Sequence, residues 1–224
     1  MLIAHRGARG YAPENTLAAI KKALDLGASW IEIDVHLLGG HLLVVHGPKV
    51  RDAQGKAYDL HAHAPAVLRS IDLGGGQHIP TLDEVLNYLE GRASLNIELK
   101  GINTAEPVAL LLKSRIEKGG WQANHLLVSS FRFEELSTFR GVGLEVPLAV
   151  LAEHFSQTTL RFAQSIEAKY INLSRRTIRP EIVRKARELG FGVLVFTVNS
   201  VAEAEELKSI GVSGIFTDYI DRFR

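Results

Sequence analysis

Trp30-Ile31-Glu32-Ile33-Asp34-Val35-His36-Leu37-Leu38 runs into Gly39-Gly40 and then into His41-Leu42-Leu43-Val44-Val45-His46. Side chains alternate faces along a strand. In a strand over Trp30–His36, Glu32 and Asp34 therefore share one face, and Ile31, Ile33 and Val35 take the other. The glycine pair predicts a turn into an antiparallel partner, a hairpin that ends on His46. Acids inside such an apolar strand are costly to bury unless they are paired or hold a cation.

Outward from this stretch, short β-branched runs alternate with segments of helical period. Strands are predicted over Leu2–His5, Trp30–His36, Ser94–Lys100, His125–Ser130, Val146–Leu151, Tyr170–Leu173, Val193–Val198 and Gly214–Thr217. Helical patterns lie between them, near Asn15–Leu26, Leu82–Leu89, Ala105–Lys118, Phe133–Phe139, Thr158–Ile166, Pro180–Leu189 and Val201–Ile210. Thr81 with Glu84 has capping-box spacing, Asn15 and Ser200 are candidate N-caps, and Gly27, Gly190 and Gly211 fit helix C-termini. Strand–helix alternation over this length predicts a TIM (β/α)8 barrel. It departs from the plain repeat in a short insertion over residues 47–79, after strand 2, and in a last helix truncated within Asp218–Arg224. The whole chain, 1–224, reads as one domain. An open, doubly wound sheet is the competing architecture, but no Gly-rich phosphate loop follows the first strand.

Composition narrows the function classes. A formal net charge of +1 gives no reason to expect a nucleic-acid partner, and no basic run suggests stable membrane association. Zero cysteines exclude thiolate catalysis and Cys-ligated zinc. No apolar run approaches membrane-spanning length, and the first strand begins at Leu2, so a cytoplasmic protein is expected. Nothing in the sequence sets an oligomeric state.

Charged residues recur within or at the ends of the predicted strands: Glu32 inside one, and His5-Arg6, Asp34, His46, Glu98 and Lys100, and Asp218 near their C-terminal ends. In a barrel these positions meet at the C-terminal rim, where such folds carry their sites. Oxygen donors from Glu32, Asp34 and Glu98 suit one hard divalent cation, Mg2+ or Ca2+. With Arg6, Lys100 and the two imidazoles nearby, the set reads as a metal site built to handle an anion.

Several short segments resemble the glycerophosphodiester phosphodiesterase family. They are His5-Arg6-Gly7, Pro13-Glu14-Asn15-Thr16, Glu32-Ile33-Asp34-Val35, Val44-Val45-His46, Ile79-Pro80-Thr81-Leu82, Asn96-Ile97-Glu98-Leu99-Lys100, Phe196-Thr197-Val198-Asn199 and Gly214-Ile215-Phe216-Thr217-Asp218. The resemblance implies a TIM barrel that hydrolyses a small-molecule glycerophosphodiester to glycerol 3-phosphate and an alcohol with a divalent cation. It implies Glu32, Asp34 and Glu98 as metal ligands, and His5 and His46 as the acid/base pair. It further implies Arg6 and Lys100 as holders of the phosphate, with Phe196 lining the glycerol pocket. The chain departs from the family pattern at Gly47, where the family usually has Asp, and lacks the Arg-Thr-Thr stretch expected within Pro48–Gly55. Phe196 replaces a frequent Trp and Ile220 a common Pro.

Other features carry less. His61-Ala62-His63 has the spacing of a metal pair but falls in the insertion, and reads as a surface loop. Arg175-Arg176 with Arg179 reads as a solvated charge run, and Ser129-Ser130 as a strand end. Asp218 is either an orienting partner for Arg6 or a histidine, or a structural ion pair. Two alternatives share the barrel: phospholipase D-like cleavage of lysophospholipids, which an apolar insertion would favour, and an inactive phosphate-binding relative.

Overall fold

In the computed structural model, which describes residues 1–223, the chain closes a parallel barrel. Its eight strands are β1 (Leu2–Ala4), β2 (Trp30–Leu38), β6 (Ser94–Leu99), β7 (Leu126–Ser130), β8 (Leu148–Ala152), β9 (Tyr170–Ser174), β10 (Gly192–Phe196) and β11 (Gly214–Thr217). Neighbours in that series pair in parallel, and β1 pairs with both β2 and β11, which closes the ring. The expected hairpin is present: β3 (His41–Val44) lies antiparallel to the end of β2, with Val35 opposite Val44. The strand ends differ from the pattern by a residue or two. β1 stops at Ala4 because Arg6 turns into the left-handed region (φ 53°), and β2 continues to Leu38 because β3 pairs with Leu37 and Leu38.

Helices α1 (Leu17–Asp25), α3 (Leu82–Leu89), α4 (Ala105–Glu117), α5 (Phe133–Gly141), α6 (Gln157–Ser165), α7 (Pro180–Glu188) and α8 (Val201–Ser209) connect the barrel strands. α3 shows why they form and where they pack. Leu82, Val85, Leu86 and Leu89 make one buried stripe at helical spacing, and Thr81 with Glu84 completes the capping box. Thr16, not Asn15, caps α1, its hydroxyl accepting from the Ala19 amide at 3.2 Å. The buried Glu135 carboxylate accepts from the amides of Asn103, Thr104 and Ala105, and so closes the start of α4. The expected positive-φ glycines follow α1, α7 and α8. The eighth unit ends in a 3-10 turn, Ile220–Phe223, and Arg224 lies outside the described residues.

Alternation divides the barrel chemistry by layer. Outward residues such as Ile31, Ile33, Leu95 and Ile97 join the core between sheet and helices. Inward residues Ile3, Leu127, Ala149, Leu194 and Phe216 plug the interior, leaving the acids of β2 and β6 above that plug. The insertion has structure of its own: an antiparallel ribbon of β4 (Lys49–Arg51) and β5 (Ala57–Asp59), the short helix α2 (Pro65–Arg69), and a small core including Leu60, Leu68, Ile71 and Ile79. His61 and His63 are exposed there, as expected of a surface loop.

Candidate active site

Strand register brings the sequence-predicted residues to one rim. Asp34 and Glu98 are Cα partners across β2 and β6, and Glu32 faces Asn96 one pleat deeper. Ligand oxygens of Glu32, Asp34 and Glu98 all lie within 4.8 Å of one another, and all three side chains are buried. The Arg6 amide, fixed by that residue's left-handed backbone, donates to Glu32 Oε2 at 2.8 Å. Gly7 follows at φ 75°, where a Cβ would strike the Ala19 backbone at 2.6 Å, so only glycine admits this close turn.

Burial and like-charge crowding set the proton affinities of the acids. Glu32 is pushed well above the ordinary carboxylate range by burial, then by Asp34 and Glu98. Burial and then Asp34 push Glu98 up to about 7, against the pull of Lys100. Burial acts the same way on Asp34, but the charges of Arg6, Lys100 and His46 and the amide of Asn15 outweigh it and hold Asp34 below its ordinary value. Lys100 Nζ stands 2.6 Å from Glu98 Oε1 and 3.5 Å from Asp34 Oδ1, yet neither oxygen has a well-directed hydrogen bond. Buried oxygens left in that condition, in an all-oxygen donor set, fit a hard divalent cation.

The two cations sit against these acids. Arg6 Nη1 donates to both oxygens of Glu14 at 2.9 Å, and Arg6 Nε lies 3.1 Å from Asp34 Oδ2. Lys100 also lies 5.6 Å over the ring of Phe131, which meets Phe196 edge to face at 5.9 Å. Arg6, Lys100, Phe131 and Phe196 line a cavity of about 230 Å³ at the mouth of the barrel, together with His5, His46 and Asn96.

The histidines have different surroundings. His5 Nδ1 is 2.8 Å from Asp218 Oδ1, and Asn199 Nδ2 donates to the other Asp218 oxygen at 2.8 Å. Arg9 Nε lies 3.5 Å from the same Oδ1, so Asp218 makes both expected contacts, to a histidine and in an ion pair. Burial lowers the His5 pKa, with the bond to Asp218 opposing it. The His46 ring has no hydrogen-bond partner among the described residues, and its pKa is pushed down to about 4, chiefly by burial. Its backbone is held instead: the Val45 amide donates to the Asp34 carbonyl at 2.9 Å, and His36 Nε2 lies 3.2 Å from the His46 carbonyl oxygen.

Sequence reading missed four supports. Asn15 is not a helix cap. Buried at φ 59°, it donates from Nδ2 to Asp34 Oδ2 at 2.9 Å and accepts the Asp34 amide at 3.2 Å. Glu14 clamps Arg6, and Phe131 adds a second ring to the cavity wall. His36 was detectable, because the alternation that pairs Glu32 with Asp34 puts it on the same face. For Glu14 and Phe131, in loops after β1 and β7, periodicity carries no such signal.

The sequence model of the glycerophosphoryl diester phosphodiesterase family matches residues 5–222. A glycerophosphodiester phosphodiesterase of Bacillus altitudinis is 32% identical over 234 residues, covering 99% of this chain and 95% of that protein. Another of that name, from Caldanaerobacter subterraneus, is 30% identical over 229 residues, covering 97% and 93%. Among solved structures, an Oleispira antarctica phosphodiesterase in complex with the product sn-glycerol-3-phosphate superposes with a TM-score of 0.89. It is 26% identical, with 100% of this chain and 94% of that one covered. Barrel, rim chemistry and relatives agree: the chain belongs to the glycerophosphoryl diester phosphodiesterase family, whose members are phosphoric diester hydrolases.

Proposed function

We propose that this chain is a single-domain, metal-dependent hydrolase that converts water-soluble glycerophosphodiesters of the cytoplasm to glycerol 3-phosphate and an alcohol. The observation that carries the reading is the buried Glu32, Asp34 and Glu98 cluster, set beside Arg6, Lys100 and two histidines at one barrel rim. The product held by the Oleispira relative supports glycerol 3-phosphate as the retained half.

Glu32, Asp34 and Glu98 would hold Mg2+ or Ca2+, which when bound supplies positive charge to the phosphoryl oxygens as the phosphorus is attacked. Arg6 and Lys100, which neutralise the acids here, add charge to the same oxygens. His5 acts as base: Asp218 holds its Nδ1 and stabilises the imidazolium formed when Nε2 takes a proton from the nucleophile. His46 gives a proton to the departing alkoxide. The phosphate arriving beside it offsets Arg6 and Lys100, two of the charges that lower its proton affinity. Phe196 and Phe131 pack against the glycerol carbons.

No apolar lid supports the lysophospholipid alternative, because the insertion turns most of its large hydrophobic side chains into its own core, with Val67 the exposed exception. The test is hydrolysis of soluble glycerophosphodiesters by purified protein, with and without chelator. The expected result is turnover that EDTA abolishes and Mg2+ or Ca2+ restores. His5→Ala and His46→Ala should each lower kcat on the order of 10²-fold or more. Full activity in excess EDTA, or a few-fold loss on removing either histidine, would overturn the assignment.

A further inference from the structure

A second cavity, of about 370 Å³, adjoins the site described above at His46. His46 lines both cavities and is the one residue that their linings share. The floor of the second cavity is apolar, from Val50, Leu73 and Ile79, and its outer edge is the β4 strand of the insertion. That edge is cationic. Lys49 and Arg51 alternate outward around Val50, and both are exposed. Lys49 has no ion pair among the described residues, and Arg51 makes only a bond to the Gly55 carbonyl. The one acid lining the cavity is Glu14, already neutralised by Arg6 at 2.9 Å and Arg9 at 3.2 Å.

Gly47, next to the shared histidine, lines the second cavity and puts no side chain into it. A Cβ built there would meet nothing closer than the Lys49 carbonyl oxygen at 3.8 Å.

We infer that the second cavity is the subsite for the departing alcohol, and that its Lys49 and Arg51 edge selects alcohols that carry an anionic group over cationic ones such as choline. The inference rests on the function proposed above, in which His46 protonates the departing alkoxide. An alcohol bonded to that oxygen lies beside His46, and the second cavity, which His46 also lines, offers it room. Two exposed cations about 6 Å from a ligand charge, in water-like dielectric, are worth up to about tenfold in affinity per unit of ligand charge. Salt should shrink that preference, because exposed charges are screened over a Debye length.

The experiment uses three diesters of glycerol 3-phosphate whose second alcohol is glycolate, ethylene glycol or choline. Metal-loaded wild-type protein, a Lys49→Glu/Arg51→Glu double variant and Gly47→Asp are compared by kcat/KM at low and high salt. The expected order for wild type is anionic, then neutral, then cationic, with the spread narrowing in salt. The double variant should reverse that order, and Gly47→Asp should shift it toward choline. Equal rates on all three diesters, a choline preference in wild type, or a ratio unmoved by the charge reversal would overturn the inference and leave the hydrolase reading intact. Absence of turnover on every diester would overturn both.

Discussion

Glu98→Gln isolates the cation's contribution to folding, because the side chain keeps its shape and loses the charge. In the wild type three buried carboxylates crowd within 4.8 Å, and a bound cation converts their repulsion into attraction. With cation at a hundred times its dissociation constant, binding only to the folded state stabilises by about 2.7 kcal/mol. In a protein of 224 residues that raises Tm by roughly 5–11 °C. Removing one of the three proposed ligands should weaken affinity on the order of 10²-fold, since even loss of a supporting residue costs 10–100-fold. At the same cation concentration the variant then gains only about 0.4 kcal/mol, roughly 1–2 °C. Without cation the order changes. Glu98 is pushed up to about 7, so the folded protein prefers it neutral, and the metal-free variant at pH 8 should melt no lower than wild type. Calorimetry of chelated protein titrated with Mg2+ or Ca2+ measures both arms. An undiminished cation-dependent shift in Glu98→Gln, or a wild type with no shift at all, would refute the metal-site reasoning.

Asn15→Ala should lower cation affinity roughly 10–100-fold while leaving α1 intact, because it frees Asp34 and leaves the Thr16 cap in place; calorimetric titration and circular dichroism report the two effects. His36→Ala should lower kcat more than it raises KM by releasing the His46 carbonyl, and His36→Gln, with a donor of similar reach, should recover part of the loss. Chelated protein should lose stability as pH rises from about 4.5 to about 7, because folded Glu98 keeps a proton that the unfolded chain has released; saturating cation, which needs the carboxylates ionised, should flatten or reverse that slope in urea unfolding.

Within the strands, much of this molecule was legible before folding. A period of two placed Glu32 with Asp34 and Glu98 with Lys100, and strand–helix alternation implied a ring whose strand ends meet. These are local rules: the direction of a side chain on a strand depends only on its neighbours in sequence. The partners of those side chains obey no local rule. Asn15 has the sequence context of a helix cap, but the turn out of β1 carries it to Asp34 and leaves the capping to Thr16. Glu14 reaches Arg6, Asp218 reaches His5 across 213 residues of chain, and His36 reaches the backbone of His46 only because the hairpin folds back. The proton affinities belong to the same class. Glu98 is pushed up to about 7 and His46 down to about 4 by burial among charges that come together only in the closed barrel. Residue type and strand periodicity chose the chemical groups. Barrel closure, through register and desolvation, decided which of them meet and what charge each carries.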